Sequence, residues 1–403
     1  MKIGIIGGGP AGMIAGIIAS QNNNEVILFE KNEKLGKKLY ITGKGRCNVT
    51  NNSDNSNIFN NIVNNQKFLY SGLNIFNSSD VINFFESNGV KLKTERGNRV
   101  FPESDKASDI TFCLEKLLKK NNVKILLNSE VSDVYKNEDN FYILSNNEKY
   151  EFDKIIITTG GVSYKLTGST GDGYKFARKF GHTIIEPKPA LSAINLNNKF
   201  NLAGLSLKNV KLCAKDKKSN FNKEFFGELL FTHNGISGPI ALSMSSYINR
   251  LENVELYLDL KPALNIEQVR LRVEKEIKTS INKEVKNVLK TLMPYSLAIE
   301  FAKMLELDIN KKCNVLTKEE KNKIINGLKY FKLNYDKLED INLAIVTSGG
   351  VNIKEINPKT MESKICNGLF FAGEVLDLDA LTGGYNMQIA LTTGYIAGIS
   401  INM

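Results

Sequence analysis

Histidine is nearly absent from this chain of 403 residues: only His182 and His233 occur. A histidine-rich metal centre is disfavoured on that count alone. Cysteine is sparse as well. Cys47, Cys113, Cys213, Cys313 and Cys366 are widely scattered and form no C-x-x-C pair. That speaks against a zinc site, a dithiol redox centre and a disulfide framework. A reduced, cytoplasmic setting fits this usage. No uninterrupted apolar run approaches the roughly 18 residues of a membrane span, so no membrane insertion is expected.

The length is enough to bury a large core and to make two or three domains. A hydrophobic content of 42% is ordinary for a globular protein. The net charge is +10, with a pI near 9.1. Such a balance can attract nucleic acid. Here the lysines are spread along the chain beside Glu and Asp, which favours a soluble lysine-rich surface, and no aromatic-interleaved RNA-binding motif is present. A nucleic-acid partner is disfavoured and a small-molecule substrate preferred.

Lys2–Ile6 is a short β-branched run followed by Gly7-Gly8-Gly9-Pro10-Ala11-Gly12. The pattern fits the G-x-G-x-x-G turn of a dinucleotide site. Gly7 permits the tight turn, Gly9 lets backbone approach a pyrophosphate, and Gly12 lets helix pack on strand. A helix from Pro10 would aim free N–H groups at phosphates, and proline is tolerated at that first position. Glu25–Phe29 reads as the second strand. Glu30 follows it, where a carboxylate meets the adenosine ribose. The same stretch, from Lys2 to Ala19-Ser20, has the outline of a secretory signal. Three glycines and a proline interrupt it, and cleavage would remove the strand that Glu30 needs.

The other end answers this motif. Phe370-Phe371-Ala372-Gly373-Glu374 is followed by Gly383-Gly384-Tyr385-Asn386-Met387-Gln388. A strand ending in Gly-Glu, with a glycine-started helix behind it, narrows the choice to a flavin, and the length of FAD calls on both chain ends. No histidine or cysteine lies in a recognisable flavin-attachment motif, so noncovalent FAD is expected. Gly373 lets the chain pass close to the cofactor, and Glu374 can meet its ribityl or phosphate region. The positive end of the helix after Gly384 would face the flavin pyrimidine, where reduced flavin gains negative charge.

Between these ends the pattern predicts a glycine-rich loop over 36–51 and an Asn-rich surface loop over 51–65. A helix is expected over 78–88, capped by Ser79 or Asp80. Hairpin character follows over 90–101, a helix over 109–120 and a strand over 123–127. An antiparallel meander covers 131–152, and Ile155–Thr159 is a buried strand ending at Gly160-Gly161. Residues 191–265 carry short alternating runs, an inserted β-rich domain. Residues 266–340 are charged and helical, with Val269, Leu271, Val273 and Ile277 on one period. The cofactor domain is expected over 1–190 and again over 341–403.

The segment Gly36-Lys37-Lys38-Leu39-Tyr40-Ile41-Thr42-Gly43-Lys44-Gly45-Arg46-Cys47-Asn48-Val49-Thr50-Asn51 is the most distinctive. It resembles the BaiN-like flavoprotein family, also called aminoacetone-oxidase-like. So do the stretches 159–174, 227–239 and 347–388, which spreads the resemblance over nearly the whole chain. Lys44 departs from it, standing where glycine is common. The resemblance implies an α/β fold: a Rossmann-like FAD domain built from both chain ends, an inserted β-barrel-like domain and a helical subdomain. Motifs and resemblance together assign cofactor contacts to Gly7, Gly9, Pro10, Ala11, Gly12, Glu30, Lys31, Lys38, Arg46, Cys47, Asn48, Val131, Thr159, Gly160, Gly373, Glu374, Gly384, Asn386, Met387 and Gln388.

Amides and cations of the 36–51 loop suit a pyrophosphate or an electron-rich flavin edge. Cys47 reads as a small packing residue at the cofactor rather than a redox thiol. His233, beside the expected Gly235–Pro239 turn, can donate a proton or orient a carbonyl. Tyr164, Tyr174 and Tyr385 are further candidate donors, and no catalytic residue is assigned. The resemblance implies an FAD-dependent oxidoreductase. Its preferred chemistry is NADH- or NADPH-linked reduction of a carbonyl-conjugated C=C bond, as in bile-acid intermediates. The alternatives are oxygen-linked oxidation of a small amine such as aminoacetone, and an RNA-associated or tRNA-modifying flavoprotein.

Overall fold

The structure, a computed structural model, describes residues 1–21 and 23–403; the side chain of Lys44 lies outside what it describes. The chain divides into two compact units, residues 1–190 with 341–403, and residues 191–340.

The first unit is built on a five-stranded parallel sheet. Its order is Leu369–Phe371, Lys154–Ile157, Lys2–Ile6, Glu25–Phe29 and Lys124–Leu126. Ile3 stands opposite Val26 on one side and Lys154 on the other. Both faces are covered, so these strands are short, nearly continuous β-branched and aromatic runs. The helix Pro10–Ser20 lies on one face. There Gly16 lets it approach: an added Cβ would meet Leu118, Ile5 and Leu28. The antiparallel meander Val131–Asn137, Asn140–Ser145 and Glu148–Phe152 lies on the other, with Ile143 and Phe152 against Gly4. The fold is thus the Rossmann-type α/β architecture the motifs imply.

The last helix, Tyr385–Ser400, is pressed against the first. A Cβ on Gly394 would lie 2.4 Å from the Ala11 carbonyl oxygen, and one on Gly398 2.8 Å from Ile18 Cβ. These two glycines set the interhelical distance.

Several local expectations are corrected. The 36–51 stretch is not a plain loop: Lys37–Gly45 winds as 3₁₀ helix and Thr50–Asn51 joins a small sheet with Arg99–Pro102 and Leu92–Glu95. The Asn-rich segment is not a surface loop throughout. It forms a helix, Asn55–Asn60, capped by the Asp54 side chain, and buries Ile58 and Ile62. The helix Ser78–Ser87 is capped by Asn77, with Asp80 closing a capping box. Asparagine competes with serine and aspartate as a cap, and here it sits two residues before Ser79 and three before Asp80.

In the second unit a seven-stranded antiparallel sheet runs Phe331–Leu333, Glu255–Asp259, Ser206–Asp216, Phe221–Phe231, Gly235–Ser237, Ile194–Leu196, Tyr335–Leu338. Both edge strands come from the C-terminal part of this unit. Helices within 239–329 share one hydrophobic core with the sheet. On the helix Ile266–Thr279, Val269, Val273 and Ile277 are buried, whereas Leu271 is 66% exposed. Its offset of two from Val269 turns it off the i, i+4 face. Gly235–Pro239 is not a turn: Gly235–Ser237 is a strand and Pro239 opens the helix Pro239–Ile248.

One buried polar cluster ties the first unit together. His182, with a fully buried side chain, has Nδ1 3.0 Å from Glu355 Oε2 and Nε2 2.8 Å from Ser363 Oγ. The Ser363 hydroxyl accepts from the Ile365 and Cys366 amides, so its proton points to the ring. Burial holds the imidazole below its ordinary value, with Glu355 opposing.

Two predictions follow from this packing. Gly394→Val should overpack the helix pair and cost about 1–3 kcal/mol of stability, read as a lower urea midpoint; an unchanged midpoint would mean that the helices are not locked there. A histidine held neutral stabilises the fold above its unfolded value, and that contribution is lost as pH falls. The thermal midpoint should therefore drop between about pH 7.5 and about pH 5, and His182→Gln should flatten that part of the profile.

Candidate functional site

The site grows from the end of the first strand. Gly7 adopts φ 108°, and a Cβ there would strike the Thr158 carbonyl at 2.6 Å. Gly8 is closed by Leu35 and by Glu30, and Gly12 by the Gly7 carbonyl at 2.0 Å. Gly9 differs: nothing stands within 4 Å of an added Cβ. Three glycines are required by the protein itself, while the fourth borders open space. The helix Pro10–Ser20 begins there with no capping side chain and no acid in its first turn. Its free N–H groups and positive end can receive an anion.

Glu30, only 8% exposed, shapes that turn. Its Oε2 accepts from the Gly8 amide at 2.8 Å, and its Oε1 accepts from the Asn32 backbone and side chain. Lys31 is paired with Asp172 at 2.7 Å and also donates to Thr170. Across the turn, the Thr159 hydroxyl is buried without a partner beside Gly160, which has φ 75°. Val131 is buried at the start of the meander.

Residues from both chain ends meet beside this turn. Gly373, at φ 80°, stands where a Cβ would come 2.8 Å from Ala11 Cβ. Lys38 bonds Glu374 Oε2 at 2.8 Å and Ser163 Oγ at 2.8 Å, and the Thr347 amide donates to Glu374 Oε1 at 2.9 Å. The Thr347 hydroxyl in turn accepts from the Val162 and Ser163 amides. Ser163 and Thr347 were not singled out by sequence; they lie within segments that carry the resemblance, and only the fold shows them converging on Glu374.

The start of the last helix is held by the 48–51 segment. Gly384 has φ 100°, and a Cβ would collide with the Thr50 carbonyl. With its carboxamide oriented to satisfy both ends, Asn48 accepts from the Gly384 amide at 3.0 Å and donates to Thr50 and Val100 carbonyls. Asn51 donates to the Gly383 carbonyl at 2.9 Å and keeps a buried, unpartnered Oδ1. Gln388 is fully buried between Thr50, Thr392 and the Phe76 carbonyl. Asn386 bonds the Ala380 amide and carbonyl, and Met387 is half-buried against the core. This helix also starts without a capping side chain or an acid.

Other expected residues are engaged differently. Arg46 spends its guanidinium on Glu95 at 2.8 Å and Asp105 at 3.2 Å, stacked over Phe101 at 4.0 Å. Cys47 is fully buried, and burial pushes its thiol up to about 12. It is no thiolate at neutral pH, which agrees with a packing role. Tyr385 donates to Asn57. Tyr174 is buried, its hydroxyl lacks a partner, and burial raises its pKa, which makes it a poor acid. Tyr164 is half-buried in a left-handed conformation, and His233 is exposed on a bend. Among the described residues, no group of three or more potential metal ligands occurs, and no helix is long and apolar enough to cross a membrane.

An elongated anionic dinucleotide fits this surface. It offers two uncapped helix starts, an open position at Gly9, and buried polar atoms of Thr159 and Asn51 without protein partners. The test separates ligand contact from folding. A Cβ at position 9 has no protein atom within 4 Å, so Gly9→Val should leave the apoprotein's thermal midpoint unchanged and abolish dinucleotide retention on gel filtration. Gly12→Val should lower the midpoint itself. Glu30→Ala should weaken retention by about tenfold or more, one charge-assisted hydrogen bond being worth roughly 1.5–3 kcal/mol. Full retention by Gly9→Val and Glu30→Ala would place the nucleotide elsewhere.

Known proteins are similar to this chain along nearly its whole length. The family described as HI0933-like protein Rossmann domain matches residues 1–400. The 3-dehydro-bile acid delta(4,6)-reductase of Clostridium scindens is 30% identical over 98% of this chain and 98% of its own. The ribosomal RNA dihydrouridine synthase of Haemophilus influenzae is 31% identical over 99% of this chain and 98% of its own. In fold, the chain is similar to the 3-ketosteroid delta1-dehydrogenase of Sterolibacterium denitrificans. The TM-score is 0.52 at 12% identity, covering 100% of this chain and 99% of that one. With a match from residue 1 to residue 400, the chain belongs to the HI0933-like Rossmann-domain family and is an FAD-dependent oxidoreductase.

Proposed function

We propose that this FAD-dependent oxidoreductase reduces a C=C bond conjugated to a carbonyl, drawing electrons from NADH or NADPH. The observation that carries the cofactor half is the open Gly9 position at an uncapped helix start, with Glu30 closing the turn. The first helix would hold the pyrophosphate, Glu30 and Lys31 the adenosine end, and Lys38 and Glu374 the ribityl region. The second uncapped start, after Gly384, would face the flavin ring. Arg46 and Cys47 would act at a remove, by ordering the loop that carries Asn48. Reduced flavin, when bound, supplies a hydride. The protein's part is to hold the substrate carbonyl beside a donor, so that charge developing on its oxygen is stabilised. Tyr174, buried and with its phenol pKa raised, is ill suited to that role.

Support for the substrate half comes from the two relatives' names taken together. A bile-acid Δ4,6-reductase and a dihydrouridine synthase each saturate a C=C bond, and uracil's C5=C6 is conjugated to its C4 carbonyl. A small enone acid is the first reading. A uridine in ribosomal RNA is the second, and one observation favours it. Residues 191–340 hold 25 Lys and Arg against 18 Asp and Glu, a net +7 of the chain's +10. The lysines are spread along the chain, but most of the net excess over acids falls in this unit, in the direction that an RNA-facing surface would need.

The experiment is anaerobic stopped-flow absorbance of the purified yellow protein. Denaturation should release FAD, and NADH or NADPH should bleach the flavin. The reduced enzyme should then be reoxidised by a 4-en-3-one bile acid or by a ribosomal RNA transcript that gains 2 Da at one uridine. Salt-sensitive reoxidation by RNA alone would decide for the second reading. Rapid reoxidation by oxygen with peroxide release, and by neither substrate, would sink both.

A further inference from the structure

Residues 191–340 contain a cavity of ≈ 80 Å³ open to solvent, lined by Lys261, Leu264, Val269, Arg272, Val273, Thr291, Leu292 and Leu328. Its chemistry is unbalanced. Two cations line it and no carboxylate does. Arg272 donates through Nε to Glu276 at 3.0 Å, which leaves its terminal nitrogens uncommitted. Lys261 Nζ forms no hydrogen bond or ion pair among the described residues. The neighbouring Lys329 already takes Asp259, donating to its carboxylate and to the Lys261 and Leu264 carbonyls. Burial, and then repulsion from Arg272, lower the Lys261 pKa. A half-buried ammonium facing a second cation is unfavourable unless an anion joins them.

We infer that this cavity is a binding site for a short-chain aliphatic carboxylate, with Lys261 and Arg272 on the head group and the leucine and valine side chains around the tail. The lining decides the class. Apart from the two cations, the only polar side chain is Thr291, and its hydroxyl already donates to the Val288 carbonyl. Two donor groups satisfy the two oxygens of a carboxylate. A phosphate would leave further oxygens against aliphatic walls, at a desolvation cost. A neutral alcohol would leave the Lys261 ammonium without a counter-charge. No residue of this site belongs to the flavin surface, so the inference stands or falls apart from the reductase reading.

Isothermal titration calorimetry of the full-length holoprotein with sodium hexanoate tests it, with inorganic phosphate and hexan-1-ol as comparisons. The expected result is saturable 1:1 binding of hexanoate, with phosphate and hexanol weaker by about tenfold or more. Lys261→Met and Arg272→Met should each weaken hexanoate by about tenfold or more, the loss of one charge-assisted hydrogen bond. Both positions are partly exposed, and unchanged FAD content and thermal midpoint would show the variants folded. Absence of saturable hexanoate binding overturns the site, as does equal binding by both variants. Phosphate binding as tightly as hexanoate overturns the ligand class.

Discussion

The close approach of the first and last helices is the constraint on which the nucleotide-binding unit depends. It is made by deletion of side chains: Gly394 and Gly398 on one helix face Ala11, Ile14 and Ile18 on the other, at distances no Cβ would allow. Because they touch, residues separated by most of the chain become neighbours. Gly373 abuts Ala11, and its amide donates to Thr393. Glu374 is thereby brought to Lys38, and the segment 48–51 to the start of the last helix. A cofactor too long for one βαβ unit can be held only if two remote stretches share a surface, and this helix pair supplies the shared frame.

The polar network on that surface is largely saturated by the protein itself. Glu374 already bonds Lys38, Ser163 and the Thr347 amide, while Glu30 bonds Gly8 and Asn32. These carboxylates order backbone as well as offering acceptors, so their removal would loosen the site before any ligand arrives. Two described cations of the 36–51 loop behave similarly: Lys37 meets Glu33, and Arg46 meets Glu95 and Asp105. Much of the conspicuous basic character of that motif fixes the loop's shape. Besides the Thr159 hydroxyl and Asn51 Oδ1, the groups left for a ligand are backbone amides at two helix starts, which suit an anion without any further positive side chain.

The reading of Cys47 illustrates how burial settles a choice that spacing leaves open. In sequence it lies between a cation and an amide, a setting that can activate a thiol. In the fold it is enclosed, left-handed in backbone and hydrogen-bonded only weakly through Thr42. Desolvation of the thiolate outweighs that bond, and the residue packs. Tyr174 is decided in the same way, since an enclosed phenol with acidic neighbours does not give up its proton.

The glycine turn, Glu30, the alternating strands of the meander and the apolar strands of the parallel sheet were legible because each follows from local rules. These are positive φ at glycine, period two, and β-branched runs between turns. The family and its flavin were legible because several such segments occur in one order. The helix Asn55–Asn60 was read as a loop, and the cap at Asn77 was read at Ser79 or Asp80, since asparagine serves equally in loops and caps and only packing of Ile58 or Val81 selects the helix. What the tertiary structure alone decided is convergence. Ser163 reaches Glu374, Asn48 reaches Gly384, and His182 reaches Glu355 and Ser363 across more than a hundred residues of chain, while Thr347 joins Glu374 from a nearer segment. Burial and pairing depend on which surfaces meet in space, and no local pattern carries that information.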